Sequence, residues 1–307
     1  MKFTKQAIAL AILSASSFAA SAATVDVYGK AILTVQNSDE GEGSFTEVKS
    51  HNSRIGLKGS HELRHGLEVV YKAEFKVDMD GDSDDNISSR NQYVGLKGGF
   101  GEVLLGKNDT ALKKAQGKVD LFSDLDGDIK QIWKGENRLA DTITYKSPKF
   151  ANFKLALTYI AEDSLDAEDG ISASLAYGDA GLKKSKFYAA VAVDSEVNGY
   201  DVARIVASTK VAGVTLGAIA QTQEKVDSDV ETDGFMVSAK YSVMKNLDLK
   251  AQVQTADTDG GDDKSGFTVG ADYKLAKSTK VFGYFTSFDM DSQADEDYLA
   301  VGVEYKF

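Results

Sequence analysis

Hydrophobic and polar positions alternate strictly along the last eleven residues, Asp297 to Phe307. This period of two predicts a strand of the length that crosses a membrane when tilted, roughly 9–11 residues. A membrane barrel leaves no open edge, so we expect this strand to pair with the first one and close a barrel. The apolar and aromatic positions on one face are Leu299, Val301, Val303, Tyr305 and Phe307.

The same alternation recurs along the chain and predicts an all-β protein of sixteen strands. In a membrane the apolar face of each strand would contact lipid and the polar face would line a lumen. In a soluble protein the apolar face would cover a core instead. The predicted strands are 25–37, 52–60, 66–77, 88–97, 101–107, 138–147, 152–161, 170–178, 185–194, 200–210, 213–223, 233–242, 247–256, 265–274, 279–289 and 297–307.

The connections between these strands alternate between short turns and long loops. The long ones include 37–51, 108–137 and 194–199, and several others are rich in aspartate and glutamate. An up-and-down topology would bring all short turns to one rim and all long loops to the other, as in transmembrane antiparallel β-barrels with an even strand number. A soluble β-sandwich of repeated hairpins is the alternative, but it rarely has this one-sided loop bias.

The first 22 residues have the pattern of a secretory signal peptide. Lys2 and Lys5 precede an apolar stretch, and Ala20-Ser21-Ala22 is a small-residue cleavage signal. We therefore predict two parts, a signal peptide at 1–22 and a β-barrel at 23–307. A signal anchor that stays attached is the alternative, which the short apolar stretch disfavours.

Charge and composition narrow the range of partners and sites. The formal charge is −12, and it becomes −14 when the two lysines of the signal peptide are removed, which disfavours nucleic acid as a partner. The chain has no cysteine, which excludes disulfides and cysteine-based metal sites. The mean hydropathy of −0.26 resembles that of a soluble protein, but barrel strands expose only alternate residues to lipid and give a weak hydropathy signal.

The acidic loops suggest calcium binding, but their spacing does not match an EF-hand. Counted from Asp78, the sixth and twelfth loop positions are Ser83 and Ser89 instead of the required glycine and acid. We interpret these loops as solvated, with no metal site and no cofactor. Divalent ions that bridge the loops to lipopolysaccharide phosphates remain an open alternative.

The segment 108–137 is far longer than an ordinary connection, since loops beyond about 12–15 residues are usually functional or disordered. It carries Leu112, Phe122 and Trp133 among other hydrophobic residues, which disfavours a disordered segment. We predict that this third loop packs against the inner wall of the barrel.

Four segments resemble the general bacterial porin family, the trimeric diffusion channels of the outer membrane. They are Val27-Tyr-Gly-Lys-Ala, Ser53-Arg-Ile-Gly-Leu-Lys-Gly, Arg90-Asn-Gln-Tyr-Val-Gly-Leu-Lys, and Arg138 with Thr142-Ile-Thr-Tyr-Lys-Ser-Pro. The C-terminal Tyr305-Lys306-Phe307 also matches. The resemblance covers the whole mature chain, and these motifs occur in the family's order and spacing.

The resemblance implies that the third loop narrows the lumen, with carboxylates that face a ladder of basic residues. The implied ladder is Lys30, Arg54, Arg90 and Arg138, and the implied carboxylates are Asp120 and Asp124. The parity of Lys30 and Arg54 agrees, since both lie opposite apolar residues on their strands. Enteric members have Pro-Glu-Phe-Gly-Gly where this chain has Ser123-Asp-Leu-Asp-Gly, so Asp126 or Asp128 would be an alternative to Asp124.

From these features we expect an outer-membrane channel, not an enzyme, that passes small hydrophilic solutes and ions by diffusion with a mild preference for cations. The resemblance implies a homotrimer, contacts with outer-membrane lipids and lipopolysaccharide, and an assembly signal at Tyr305 and Phe307 that the barrel-assembly machinery reads.

Two other functions are alternatives to a diffusion channel. A hydrolase would need a nucleophile and a base within reach of each other, whereas the only histidines, His51, His61 and His65, read as surface or turn residues. A channel specific for a sugar or an anion is the closer alternative, although Trp133 is the only tryptophan and cannot form a row of aromatic contacts.

Overall fold

The computed structural model describes residues 24–82, 85–162, 168–228, 230–291 and 293–307. The predicted signal peptide at 1–22 lies outside these residues. The described chain forms one antiparallel sheet that closes on itself. Its strands are β1 Thr24–Asp39, β2 Ser44–Ser50, β3 Arg54–Glu62, β4 Glu68–Val77, β5 Ile87–Gly98, β6 Gly101–Asp109, β7 Arg138–Lys146, β8 Phe153–Ile160, β9 Gly170–Gly178, β10 Phe187–Val197, β11 Tyr200–Val211, β12 Val214–Lys225, β13 Glu231–Met244, β14 Leu247–Thr258, β15 Lys264–Lys274, β16 Thr279–Asp289 and β17 Glu296–Lys306.

The seventeen segments occupy sixteen barrel positions, because β2 and β3 pair in succession with the two halves of β1. The interruption lies at residues 51–53, where Asn52 adopts a φ of 50°. The Ser53 hydroxyl accepts a hydrogen bond from the Ile32 amide at 2.9 Å and so satisfies a group that a continuous strand would pair. His51 is buried at this break, 2.8 Å from the Thr34 hydroxyl, and the interpretation of it as a surface residue is wrong.

The barrel closes between β1 and β17, as predicted from the terminal pattern. Their register pairs Lys30 with Lys306 and continues to Asp39 opposite Asp297. At the end of the seam, the Gly29 amide donates to the Phe307 carbonyl at 2.9 Å and the Phe307 amide donates to the Gly29 carbonyl at 3.2 Å. A side chain at Gly29 would come within 2.2 Å of the Phe307 ring, so the terminal ring lies where residue 29 has no Cβ.

The side chains alternate between an apolar outer face and a largely polar inner face. On β17, Leu299 and Val301 are 59% and 63% exposed, whereas Tyr298 and Ala300 on the opposite face are 4% and 1% exposed. This arrangement is that of a barrel whose outer belt contacts lipid. Among the described residues, no helix is long and apolar enough to cross a membrane.

The predicted alternation of loop lengths is only partly right. The predicted loop 37–51 is a four-residue turn at 40–43, because β1 extends to Asp39 and β2 begins at Ser44. The predicted loop 194–199 is a two-residue turn between Val197 and Tyr200. The hairpins on this rim extend beyond the apolar belt. Their outer faces contact water there instead of lipid and carry polar residues, so the alternation of apolar and polar positions stops before the strands end.

We predict that deleting Phe307 impairs assembly more than conduction, because it removes both hydrogen bonds to Gly29 and the stacking of its ring on Tyr305 at 5.9 Å. Folded protein is measured as the heat-modifiable band on a gel. Leu299→Ala is the control, since that side chain is as exposed on the same face of β17. An unchanged folded fraction together with altered conductance would contradict the prediction.

Candidate functional site

The third loop, residues 110–137 and called L3 below, lies inside the barrel. It begins with the helix α1, Ala111–Ala115, whose first turn is capped by Thr110, the side chain of which accepts a hydrogen bond from the Lys113 amide at 3.3 Å. Its second half contains a short 3-10 helix at Ile129–Gln131, capped by Asp128. Both elements turn their apolar side chains away from the open lumen.

L3 is held by an apolar patch on the inner wall, which confirms the prediction that it packs there. Its side chains join two clusters with inward-facing residues of the strands. From L3 the larger cluster takes Leu112, Ala115, Val119, Ile129, Ile132 and Trp133, and from the strands and adjoining turns Tyr188, Ala190, Ala192, Val202, Val206, Ile219, Met236, Ala256, Phe288 and Met290. The smaller cluster contains Phe122 and Leu125 with Ile32, Phe282, Tyr284 and Ala300.

Polar contacts fix the same loop against the wall. The Trp133 indole donates to the Thr255 carbonyl at 2.7 Å, and the Ser238 hydroxyl donates to the Val119 carbonyl at 2.6 Å. Arg204, which is fully buried, pairs with Glu136 at 2.6 Å. Because burial removes both charges from water, a pair of this kind adds little net stability, but loss of one partner would leave the other charge buried and unpaired.

Two glycines of the wall provide the room that L3 requires. A side chain at Gly234 would lie 2.5 Å from the Trp133 ring, and one at Gly217 would lie 2.7 Å from Val119. Any larger residue at either position would therefore displace the loop.

Asp124, at the tip of L3, faces the basic residues of the opposite wall. Its carboxylate lies 2.6 Å from the Lys30 amine and 3.1 Å from the Arg54 guanidinium. Its backbone has a φ of 76°, and its amide donates to Asp128 at 3.0 Å. The left-handed turn thus directs the Asp124 carboxylate away from L3. The carboxylate enters the gap between L3 and the wall that carries Lys30 and Arg54.

The other two predicted basic residues lie on the inner wall but pair with acids of the strands. Arg90 lies 2.9 Å from Glu74, and Arg138 lies 2.8 Å from Asp109. The L3 residue Lys114 also pairs with Asp109. The basic side chains therefore form a row in which each one has a carboxylate partner.

Asp120 does not face this row, which corrects the expectation that both carboxylates do so. It accepts hydrogen bonds from the Phe122 amide at 2.9 Å and the Ile129 amide at 3.2 Å, and so stabilises the turn of L3 from within. Of the two alternatives to Asp124, Asp128 also serves the backbone of L3. Asp126 reaches the wall, 3.1 Å from Lys49 and hydrogen-bonded to Tyr284 at 2.7 Å.

Two of the four aspartates of L3, Asp120 and Asp124, have pKa values shifted in opposite directions. Burial raises the pKa of the Asp124 carboxyl, but Lys30 and Arg54 outweigh it and hold the pKa below the usual aspartate value. Burial and the nearby Asp128 raise the pKa of Asp120 well above that value. Asp124 therefore stays ionised in the gap, whereas burial opposes the ionisation of Asp120.

Sequence reasoning missed Glu74 and Asp109 as partners of the basic row. Glu74 follows Lys72 and precedes Lys76 on the inner face of β4, so a charged inner face was visible in the pattern. Alternation shows which face of a strand a residue occupies. It shows neither the position of the residue along the barrel axis nor its partner on a neighbouring strand, and both are needed to predict an ion pair. Among the described residues, no group of three or more His, Cys, Asp or Glu side chains has the arrangement of a metal site.

A family model described as Gram-negative porin matches residues 7–293. This match covers nearly the whole chain and agrees with a closed barrel that carries an inward third loop. The chain belongs to the Gram-negative porin family. Membership confirms the prediction that the protein is not an enzyme, and it places the barrel in the outer membrane.

The porin is similar in sequence to the major outer membrane protein P.IB of Neisseria. It is 31% identical to the Neisseria sicca protein over 140 residues, which cover 44% of this chain and 39% of that protein. The match to the protein from Neisseria meningitidis serogroup B (strain H44/76) is 29% over 179 residues, covering 53% and 51%. The porin thus aligns with about half the length of these relatives.

Solved porin structures share the fold. The anion-selective porin from Comamonas acidovorans superposes with a TM-score of 0.76 at 18% identity, covering 93% of this chain and all of that one. OmpF of Salmonella typhi, solved with daunomycin, gives 0.74 at 17%, covering 92% and 97%. A trimer form of OmpT from Vibrio cholerae gives 0.73 at 17%, covering 93% and 100%.

We predict that Asp124→Asn shifts the ion preference of the porin towards anions, because Lys30 and Arg54 lose their shared carboxylate. A unit charge about 6 Å away in water contributes about 0.7 kcal/mol, so the permeation of each ion changes about threefold in opposite directions. The reversal potential in a salt gradient measures this change.

The difference in reversal potential between the wild type and Asp124→Asn is expected to persist at pH 4. The pKa of Asp124 is lowered, so this carboxylate loses its charge only below the usual aspartate range. Asp233→Asn is the matched control, because it makes the same charge change on the exposed outer face of β13, and it is expected to leave the reversal potential unchanged. Equal shifts in both variants would mean that Asp124 has no special place in the gap.

Proposed function

We propose that this porin forms a water-filled channel across the outer membrane, through which small hydrophilic solutes and ions diffuse passively. The observation that carries the proposal is the position of L3, which is docked inside the barrel and leaves Asp124 opposite Lys30 and Arg54. A purely structural barrel would have no use for an inward loop of this length with a facing basic wall.

The proposed constriction consists of Lys30, Arg54, Arg90 and Arg138 on the wall and Asp124 on L3. Opposed charges across a narrow aqueous gap create a transverse field that orders water and orients dipolar solutes, and charged rings set ion preference. Asp120 acts only through the conformation of L3. No bond is made or broken during passage.

We propose a mild preference for cations. The formal charge of −14 after removal of residues 1–22, together with the acidic loops, supports attraction of cations at the mouth. The constriction itself keeps the preference weak, because its carboxylates and basic groups are paired. Removal of the signal peptide on export is part of this proposal.

We also propose that the porin is a homotrimer in contact with outer-membrane lipids and lipopolysaccharide, inserted by the barrel-assembly machinery. Support for the trimer comes from the structural likeness to OmpT of Vibrio cholerae, which was solved in a trimer form. The outer faces of β1, β16 and β17 carry Val35, Val281 and Val301, which suit contact with lipid or a neighbouring subunit.

A channel specific for sugars is less well supported. Such a channel lines its path with exposed aromatic rings, whereas Trp133 is 2% exposed and packs over Gly234. Other aromatic rings that pack with L3 are also buried, and they are Phe122, Tyr188, Phe282, Tyr284 and Phe288.

Planar-bilayer recording of the refolded porin with a panel of sugars tests the proposal. We expect the conductance to fall as sugars small enough to enter replace water in the pore, with a size cutoff and no saturation. Saturable block by one sugar at low concentration would instead indicate a specific channel, and strong anion preference would overturn the proposed charge preference.

A further inference from the structure

A second connection also folds into the lumen, on the rim opposite the opening that L3 enters. The turn between β9 and β10, residues 179–186, carries Ala180 and Leu182 inward against the cluster that holds L3. The contact is close, because a side chain at Gly117 of L3 would come within 3.1 Å of Ala180. The turn and L3 therefore contact each other at one end of the barrel.

Asp179 gives this turn a defined shape. Its carboxylate accepts hydrogen bonds from the amides of Gly181, Lys183 and Lys184, each at 3.0 Å. Its own amide donates to the Ser185 hydroxyl at 2.8 Å. The carboxylate is thus engaged by backbone donors, and the two lysine side chains project from a fixed turn.

Between this turn, α1 of L3 and the inner faces of β7 to β9 lies a cavity of about 630 Å³. Six lysines line it. Lys114 pairs with Asp109 and Lys146 with Glu102. The other four make no ion pair with any residue in the described part of the chain, and they are Lys149, Lys154, Lys183 and Lys184.

The cavity therefore has an excess of positive charge. Of its two lining acids, Asp109 is shared by Arg138, Lys113 and Lys114, and Asp179 serves the backbone of its turn. Like charges on one concave wall raise the local potential and attract counter-ions. A lysine amine offers three donors and suits phosphate oxygens as a point charge.

We propose that this cavity is a binding subsite for small multivalent oxyanions of the phosphate class, placed on the periplasmic side of the constriction. The inference rests on the proposed channel function, since the ligand reaches the cavity through the lumen. Lys154 and its inward neighbours Ala156 and Thr158 line the cavity from the inner face of β8, so the site opens to water rather than to lipid headgroups. At a given potential a multivalent anion gains more electrostatic energy than a monovalent one, so the site favours multivalent oxyanions over chloride.

The test measures binding of inorganic pyrophosphate to the folded full-length porin in detergent by isothermal titration calorimetry. The variant replaces Lys149, Lys154, Lys183 and Lys184 with glutamine, and we expect its affinity to fall at least about tenfold at low salt. The control replaces Lys186, Lys210, Lys245 and Lys277 with glutamine. These exposed lysines do not line the cavity, the charge change is the same, and we expect wild-type affinity.

Two outcomes would overturn the proposal: wild-type protein that does not bind pyrophosphate, or equal losses in variant and control. If the fourfold variant fails to fold, the double variant Lys183→Gln with Lys184→Gln replaces it, since both side chains are exposed on the turn. We expect the double variant to bind pyrophosphate several-fold more weakly. An unchanged affinity of the double variant would also contradict the proposal. Bilayer recording of the same preparations separates the two proposals. If the porin forms channels but does not bind pyrophosphate, only the proposed subsite is refuted. If it forms no channels, the proposed function is refuted.

Discussion

The pairing of β1 with β17 is the interaction on which the rest of the molecule depends. Within a membrane an unpaired backbone group costs several kcal/mol, so a sheet is stable there only when it has no edge. The seam from Gly29 and Phe307 to Asp39 and Asp297 removes that edge. Once the sheet is closed, one face of each strand lies on the outside of the barrel and the other lines the lumen. The alternating residues then form an apolar outer belt and a largely polar inner wall.

The inner wall departs from this alternation in one region, and that departure positions L3. On β11 to β13 the inward residues Val202, Val206, Ile219 and Met236 are apolar although they face the lumen. Left uncovered they would expose apolar surface to water. L3 covers them, and its tip is thereby carried to the basic wall. The proposed constriction is thus a consequence of hydrophobic packing on one side of the barrel and of charge pairing on the other.

Strand existence, the closing seam and the inward position of L3 were all predictable from periodicity and from the hydrophobic content of the loop. The first hairpin was not, because Val48 is the one apolar residue among Ser44, Thr46, Val48 and Ser50 on one face of β2. Such a pattern does not differ from that of a loop. The roles of Asp120 and Asp124 were equally inaccessible. Both are aspartates of one loop, and only the path of the backbone directs one inward and the other towards Lys30.

The position of L3 in the lumen is tested most directly by the fluorescence of Trp133, the only tryptophan of the chain. We predict short-wavelength emission that iodide does not quench in the wild type. In Gly234→Val, whose new side chain would overlap the indole ring, we predict red-shifted, quenchable emission together with a raised single-channel conductance. Gly283→Val is the control, since a side chain there meets no atom closer than 3.4 Å. Iodide-quenchable emission in the wild type, or an exposed Trp133 in Gly234→Val with unchanged conductance, would contradict the account.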